Sequence, residues 1–372
     1  MKELIRSRVI RIIYIHIIKP IFFQIDPETI HDFIVKRGSS SNKLTLKLFS
    51  LLFSYKHKKL EQTILGINFK NPIGLAAGFD KDAKLTNFIS SLGFGFMEVG
   101  SITYNPYEGN PGRRLWRFPN SKSLLVYYGL KNQGAKIISE RLKTKTHNII
   151  IGTSIAKTNS KYTVETKEGI RDYIEGYKYF KDVGDYFTIN ISCPNAFGGE
   201  PFTDPIKLNL LLKEIVKVKT LKPIFLKISP DINQETLDKI IELCLKYKIN
   251  GIICSNLTKN RNNPKIKVLN APNVGGFSGK LVEDLSNKQI RYIYKKTKGE
   301  LVIIGCGGIF TAEDAYKKIR AGASLLQLIT GMIYQGPQTV SEINQGLVKL
   351  LEKDGYDHIN EAIGKSEQSI KS

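Results

Sequence analysis

The stretch LVIIGCGGIFTAEDAYKKIRAGASLLQLITG, Leu301 to Gly331, holds two short apolar runs joined by one helical segment. LVIIGC is branched and continuously apolar, as a parallel strand buried on both faces must be. It ends at Gly307 and Gly308, and then Thr311 and Asp314 form a T-x-x-D capping box that starts a helix. LLQLIT, residues 325–330, is the next run. Working outward, the same unit recurs. Apolar runs stand at 73–77 (IGLAA), 96–100 (FMEVG), 149–154 (IIIGTS), 186–192 (YFTINIS), 224–229 (IFLKIS) and 251–255 (GIICS). Amphipathic segments separate them. Ile170, Tyr173, Ile174, Tyr177 and Phe180 make one stripe, and residues 233–248 make another that includes Cys244. Eight such units predict a closed (β/α)8 TIM barrel in the α/β class. An open doubly wound sheet is the competing arrangement, weakened because no GxGxxG follows the first run.

The length of 372 residues suits one such barrel with additions, and 41% hydrophobic content is enough for a real core. The charge of +22, from 56 basic and 34 acidic residues, favours anionic partners. The lysines are spread along the whole chain, so a lysine-rich proteome explains the charge equally well. No basic helix with interleaved stacking aromatics stands out, which argues against nucleic acid. Cys193, Cys244, Cys254 and Cys306 include no CxxC pair, so no metal or cluster site is expected. Cys244 shares the spacing of Leu237, Ile240 and Ile241 and reads as core packing.

Three regions are expected: an amphipathic helical extension over 1–60, a barrel over 61–360 and a tail over 361–372. The first 60 residues hold 12 basic and 4 acidic side chains. Arg11, His16 and Lys19 interrupt the opening apolar run, so a spanning helix is not expected. No small-residue cleavage site marks a signal peptide. NKLTLKLFSLLFSYKHKK, residues 42–59, sets leucines and phenylalanines among lysines. That pattern suits a helix lying in a membrane interface, or a cap packed on the barrel.

Barrel chemistry gathers where strands end and loops begin. Those ends carry Lys81, Ser101, Lys227 and Asn256, besides the segment NISCPN, Asn190 to Asn195. Lysines, carboxamides and a thiol on one rim are hard to assign to packing. Gly307 and Gly308, followed by a capped helix start, read as a phosphate cradle.

At this point the sequence resembles the dihydroorotate dehydrogenases, and their membrane-associated, quinone-using class most closely. The motifs that carry the resemblance are KPIFFQIDPETIH, NPIGLAAGFDKD, GFGFMEVGSIT, EGNPGRRLWRFP, LKISPD, VGGFSGK, IIGCGGI and AGASLLQLITG, in that order from about Lys19 onward. The resemblance implies bound FMN. Ala76, Ala77, Gly78, Lys81 and Ser101 would border its ring, and Asn190, Lys227 and Ser255 would contact it from other strands. Ser278, Gly279, Gly307, Gly308, Ile329 and Thr330 would hold the ribityl phosphate side. It also implies oxidation of (S)-dihydroorotate to orotate in pyrimidine biosynthesis, with Cys193 as the base that takes the C5 proton. Lys81, Asn190, Asn195 and Asn256 would bind the substrate. A thiol beside a cation is a plausible base, and a carboxamide offers both donor and acceptor to a cyclic imide. His31 and Arg117 match residues that line a quinone tunnel. The implied location is peripheral, on the anionic cytoplasmic face of a bacterial membrane, with the mitochondrial inner membrane as the alternative.

Several positions depart from that pattern. The quinone class usually carries serine where Cys193 stands, and threonine where Ala196 stands. Val126 replaces a substrate-binding asparagine, Leu257 a threonine and Ser154 a flavin-contacting asparagine. Tyr127 or Tyr128 would compensate for Val126, and Tyr128 is counted with the substrate-binding residues. Another dihydropyrimidine-like substrate, or a non-quinone acceptor, is the alternative these changes raise. The chain has no nicotinamide fingerprint or cluster site, so NAD would need a second subunit.

Overall fold

A computed structural model describes residues 2–267 and 271–365. The expected tail lies outside the described residues from position 366 on. Eight parallel strands close into a barrel: β1 (Ile73–Leu75), β2 (Phe96–Ile102), β3 (Ile150–Ile155), β4 (Tyr186–Asn190), β5 (Ile224–Ile228), β6 (Gly251–Cys254), β7 (Val302–Cys306) and β8 (Leu325–Leu328). Leu326 pairs with Ile73, so β8 and β1 close the ring, and the open-sheet arrangement is excluded. Each apolar run of the sequence supplies one strand. The helices between them bury the stripes their spacing predicts. In Gln234–Lys246, Asn233 caps the start by accepting from the Thr236 amide at 2.8 Å, and Leu237, Ile240, Ile241 and Cys244 face inward.

The amino end of the barrel is sealed. A hairpin, Gln62–Ile64 with Ile67–Phe69, lays Phe69 against a cluster of Phe96, Tyr186, Phe225, Ile253, Ile304 and Leu325. Phe69 meets Phe96 edge-on at 5.4 Å, and Tyr186 meets Phe225 at 5.4 Å. Each such pair adds about 0.5–1.5 kcal/mol beyond area burial. The carboxyl end is instead roofed by a three-stranded antiparallel sheet, Leu115–Phe118, Ser123–Val126 and Gly276–Phe277, which the sequence pattern did not announce.

Four helices precede the barrel: α1 (Lys2–Ile13), α2 (Lys19–Gln24), α3 (Pro27–Ser39) and α4 (Lys43–Phe53), with a π-helical turn at Tyr14–Ile18. Asp26 caps α3 through the Glu28 and Thr29 amides, and Asn42 caps α4 through the Thr45 amide. One side of this group packs on the barrel. The Tyr14 hydroxyl donates to the Ile333 carbonyl at 2.7 Å, and Phe49 meets Phe88 edge-on at 5.9 Å. The other side leaves Val9, Ile13, Ile17 and Ile21 exposed at four-residue spacing, and Leu44, Leu48 and Leu51 on one face of α4. Among the described residues no helix is long and apolar enough to cross a membrane.

Candidate active site

A cavity of about 500 Å³ runs from the carboxyl rim of the barrel to the space under α2, α3 and α4. The residues assigned to substrate, flavin and quinone line it, including Ala76, Ala77, Gly78, Ile329, His31 and Arg117; of the departing positions, Val126 and Leu257 line it and Ala196 does not. Nor does Ser154. Its hydroxyl instead supports Ser101 at 2.8 Å.

The polar end is organised by β4. Asn190 donates to Ser101 Oγ at 2.8 Å and accepts from the Ser192 amide at 3.1 Å and hydroxyl at 2.9 Å. Asn256, just past β6, donates to the Ser192 carbonyl at 2.7 Å. Asn195 donates to the Val126 carbonyl at 2.8 Å, so the roof sheet and the β4 loop are tied together. Cys193 sits among these carboxamides. The sequence suggested a thiol eased toward ionisation by a cation. Burial instead dominates and pushes the Cys193 thiol up to about 11, while the backbone amides of Asn195 and Ala196 and the Lys157 ammonium pull the other way.

Toward β7 and β8 the backbone comes close to whatever the cavity holds. A Cβ at Gly279, where φ is +69°, would lie 2.3 Å from the Lys122 carbonyl oxygen. At Gly308, where φ is +78°, it would lie 2.4 Å from Glu283 Cβ. Ser278 and Thr330 share a hydrogen bond of 2.8 Å. The helix start expected to cradle phosphate is already occupied. Asp314 accepts from the Phe310 amide at 2.8 Å and the Thr311 amide at 3.1 Å, and Lys280 binds Asp314 at 2.6 Å. The short helix Thr330–Gln335 instead begins without a side-chain cap, and Thr330 and Gly331 line the cavity.

The middle of the cavity holds unpartnered polar groups. Lys227 is 4% exposed, and its ammonium makes no hydrogen bond or ion pair among the described residues. Gln327, fully buried on β8, makes no geometric hydrogen bond from either amide atom among the described residues, although its side chain acts on the buried Tyr186 hydroxyl. Ser255 lines the wall but turns its hydroxyl to Gln289 at 3.0 Å.

The apolar end lies between the barrel and the first helices. His31 Nε2 is 2.8 Å from the Phe79 carbonyl, and Nδ1 is 3.2 Å from Asp32 Oδ1. Arg117 donates to the Ile25 carbonyl at 2.7 Å and lies 4.7 Å over the Phe23 ring. Lys81 bridges the two ends. Its ammonium is 3.4 Å from His31 Nε2 and 4.1 Å over the Tyr128 ring, and burial pushes it down to about 8. The Tyr128 ring is thus held by cations, and its buried hydroxyl has no hydrogen-bond partner among the described residues.

The dihydroorotate dehydrogenase family model matches residues 59–351. The chain belongs to the dihydroorotate dehydrogenase family. A dihydroorotate dehydrogenase (quinone) of Crocosphaera subtropica is 41% identical over 348 residues, covering 91% of each chain. One from Nostoc punctiforme is 40% identical, over 96% of this chain and all of that one. Among solved structures, ligand-free DHODH from Eimeria tenella matches with a TM-score of 0.81 and 28% identity, over 92% of this chain and 100% of that one. The same enzyme in complex with ferulenol matches with a TM-score of 0.78 and 29% identity, over 91% and 95%.

This family is flavin-dependent, and the cavity suits a flavin. An anionic phosphate fits the Cβ-free turns, and an electron-poor heterocycle supplies acceptors for Lys227 and partners for Gln327. Sequence reasoning missed Gln327. The signal was available, since it is one amide inside the apolar run LLQLIT. It also missed Lys157, a lysine that is 3% exposed just beyond β3.

Proposed function

We propose that this chain oxidises dihydroorotate to orotate, with FMN as the bound flavin and a membrane quinone as the final acceptor. One observation supports this above the rest. A single cavity joins Cys193, Asn190, Asn195 and Asn256 at one end to the apolar space beside His31 and Arg117 at the other. Such a cavity suits a small polar heterocycle and a lipid-soluble acceptor at opposite ends.

Ser278, Gly279, Gly307, Gly308, Ile329 and Thr330 would hold the FMN phosphate side, with Ala76, Ala77, Gly78, Ser101, Lys227 and Ser255 along its ring. Bound FMN supplies a two-electron acceptor for the hydride that leaves C6 of the substrate. Cys193 Sγ takes the C5 proton as the thiolate. Asn190, Asn195 and Asn256 orient the substrate's ring amides and carboxylate, each offering a donor and an acceptor. Lys227 places a fixed cation where negative charge grows in the transition state. Residues 1–60 act as the membrane-facing unit and 61–360 as the catalytic barrel. The exposed leucines of α4 and isoleucines near α1 and α2, flanked by lysines, suit peripheral attachment to an anionic leaflet.

Anaerobic addition of dihydroorotate to the flavin-loaded protein tests this reading. Rapid bleaching of the flavin absorbance is the expected result. Flavin that stays oxidised would overturn the substrate assignment. A second reading, another dihydropyrimidine-like substrate, rests on Val126 and Leu257, which give the cavity apolar wall where carboxamide or hydroxyl is expected. A substrate panel in which dihydroorotate reduces the flavin fastest would remove it.

A further inference from the structure

Cys193 borders two spaces. One is the main cavity; the other is a chamber of about 10 Å³ behind the β4 loop, room for a single water. Lys157 also lines that chamber, with Tyr173, Asn190 and Ala196. The Lys157 side chain is 3% exposed, deeper than an unpaired lysine normally sits. Its ammonium donates to the Phe197 carbonyl at 2.8 Å and to Thr163 Oγ1 at 3.4 Å. Both acceptors are neutral, and the third N–H has no partner among the described residues. Phe197 belongs to the loop that carries Cys193, and Asn159 Oδ1 fixes the same residue by accepting from its amide at 2.6 Å. The β3 loop therefore both anchors the β4 loop and brings a buried cation behind the thiol.

Resting on the reading of Cys193 as the base, we infer that Lys157 is a positioning residue that stabilises the Cys193 thiolate and holds its loop in place. The charges around the thiol are few. Lys157 comes from the β3 loop, Glu200 from the β4 loop itself, and Asp172 and Tyr173 from the helix Thr166–Lys178. Glu200 pushes the thiol up and Lys157 pulls it down. Asp172 is engaged with the Thr158 amide and hydroxyl, both at 2.6 Å, so its charge is directed at the β3 loop. The coupling is reciprocal, since burial lowers Lys157 and Cys193 raises it again. As the thiolate forms, it gains a buried ammonium whose hydrogen-bond acceptors are both neutral.

The test is the pH dependence of Cys193 alkylation by iodoacetamide in the FMN-loaded protein, read on the Cys193 peptide by mass spectrometry. Lys157→Gln keeps a donor for the Phe197 carbonyl and removes the charge; Lys157→Arg keeps the charge. Loss of an opposite charge raises a thiol by about one pH unit or more, so Lys157→Gln alkylates about tenfold more slowly at pH 8. Lys157→Arg stays within about twofold of the unmodified chain, because its guanidinium remains charged. A Lys157→Gln profile that superimposes on the parent overturns the inference, and so does a Lys157→Arg profile that falls with it, which would mark a merely structural lysine. Should Lys157→Gln not retain FMN, Thr163→Val decides. It leaves the charge and removes one competing acceptor, so the alkylation midpoint moves down; no movement, or a rise, overturns the inference. Full turnover by Cys193→Ala would remove the base assignment alone, because alkylation reports the Lys157–Cys193 coupling without any substrate.

Discussion

Lys227 offers a test in which two effects have opposite signs. Its ammonium is buried on β5, 4% exposed, with no hydrogen bond or ion pair among the described residues. Taking an ion out of water without a partner costs several kcal/mol even after relaxation. The substitution Lys227→Met keeps most of the volume and removes the charge. The flavin-free protein is therefore expected to gain stability, by no more than the roughly 1–4 kcal/mol seen when buried ion pairs give way to apolar groups of similar volume. Flavin binding moves the other way. A hydrogen bond from a charged donor contributes about 1.5–3 kcal/mol, and its loss weakens binding roughly 10- to 150-fold. Urea unfolding of flavin-stripped protein reads the first effect, and quenching of FMN fluorescence on titration reads the second. A flavin-free Lys227→Met that is less stable than the parent, with unchanged FMN affinity, would refute the reasoning. Lys227 would then be a structural lysine whose partners lie within the protein.

Cys193→Ala is expected to keep its flavin and to slow reduction by dihydroorotate about 10²- to 10⁴-fold, as loss of a general base does; stopped-flow absorbance measures it. Because burial holds the thiol at about 11, the reactive thiolate is scarce at neutral pH and grows as pH rises. The reduction rate of the unmodified chain should thus climb by about tenfold per unit from pH 7 toward 10, and a flat profile would point to a different base. Val126→Asn should lower the KM for dihydroorotate, by about 5- to 150-fold if the carboxamide recovers a full hydrogen bond of about 1–3 kcal/mol. An unchanged KM would mean that the substrate does not approach that wall. Leu48 and Leu51 are 52% and 62% exposed, so the pair Leu48→Asp and Leu51→Asp should leave the fold intact. Each leucine withdrawn from an interface forfeits about 1.5–3 kcal/mol, so flotation with anionic vesicles should be lost.

The barrel was legible because its strands are buried on both faces. Such strands leave unbroken apolar runs, and the helices between them leave stripes at helical spacing. The roof sheet was not legible. RLWRF and SLLV are short, and Gly276–Phe277, which pairs with Ser123–Val126, lies about 150 residues away. Non-local pairing leaves no local signature. T-x-x-D marks a helix start in the sequence, and in the fold its own aspartate accepts from the backbone amides at that end. The position of the thiol was legible, but its ionisation was not, because sequence shows neither how deeply Cys193 is covered nor that Lys157 stands behind it. Lys227 was found as a lysine at a strand end, and it is also a charge inside the apolar run IFLKIS. The same signal in LLQLIT and FMEVG would have found Gln327 and the buried Glu98.

The two ends of this barrel obey different rules, and the difference locates the chemistry. At the amino end, aromatic and branched side chains fill the ring, and the hairpin seals it. At the carboxyl end, a lysine and a glutamine lie buried with no side-chain hydrogen bond among the described residues, a thiol is held mostly un-ionised, and glycines occupy turns that any Cβ would block. Each of these lowers stability taken alone, by about 1–3 kcal/mol for an unsatisfied buried polar group. They all lie on one cavity, whose far mouth is built by helices that contribute little to the barrel core. A chain selected only to fold would satisfy those groups internally. Their concentration on one surface is what a site looks like when its hydrogen-bond partners arrive with a ligand.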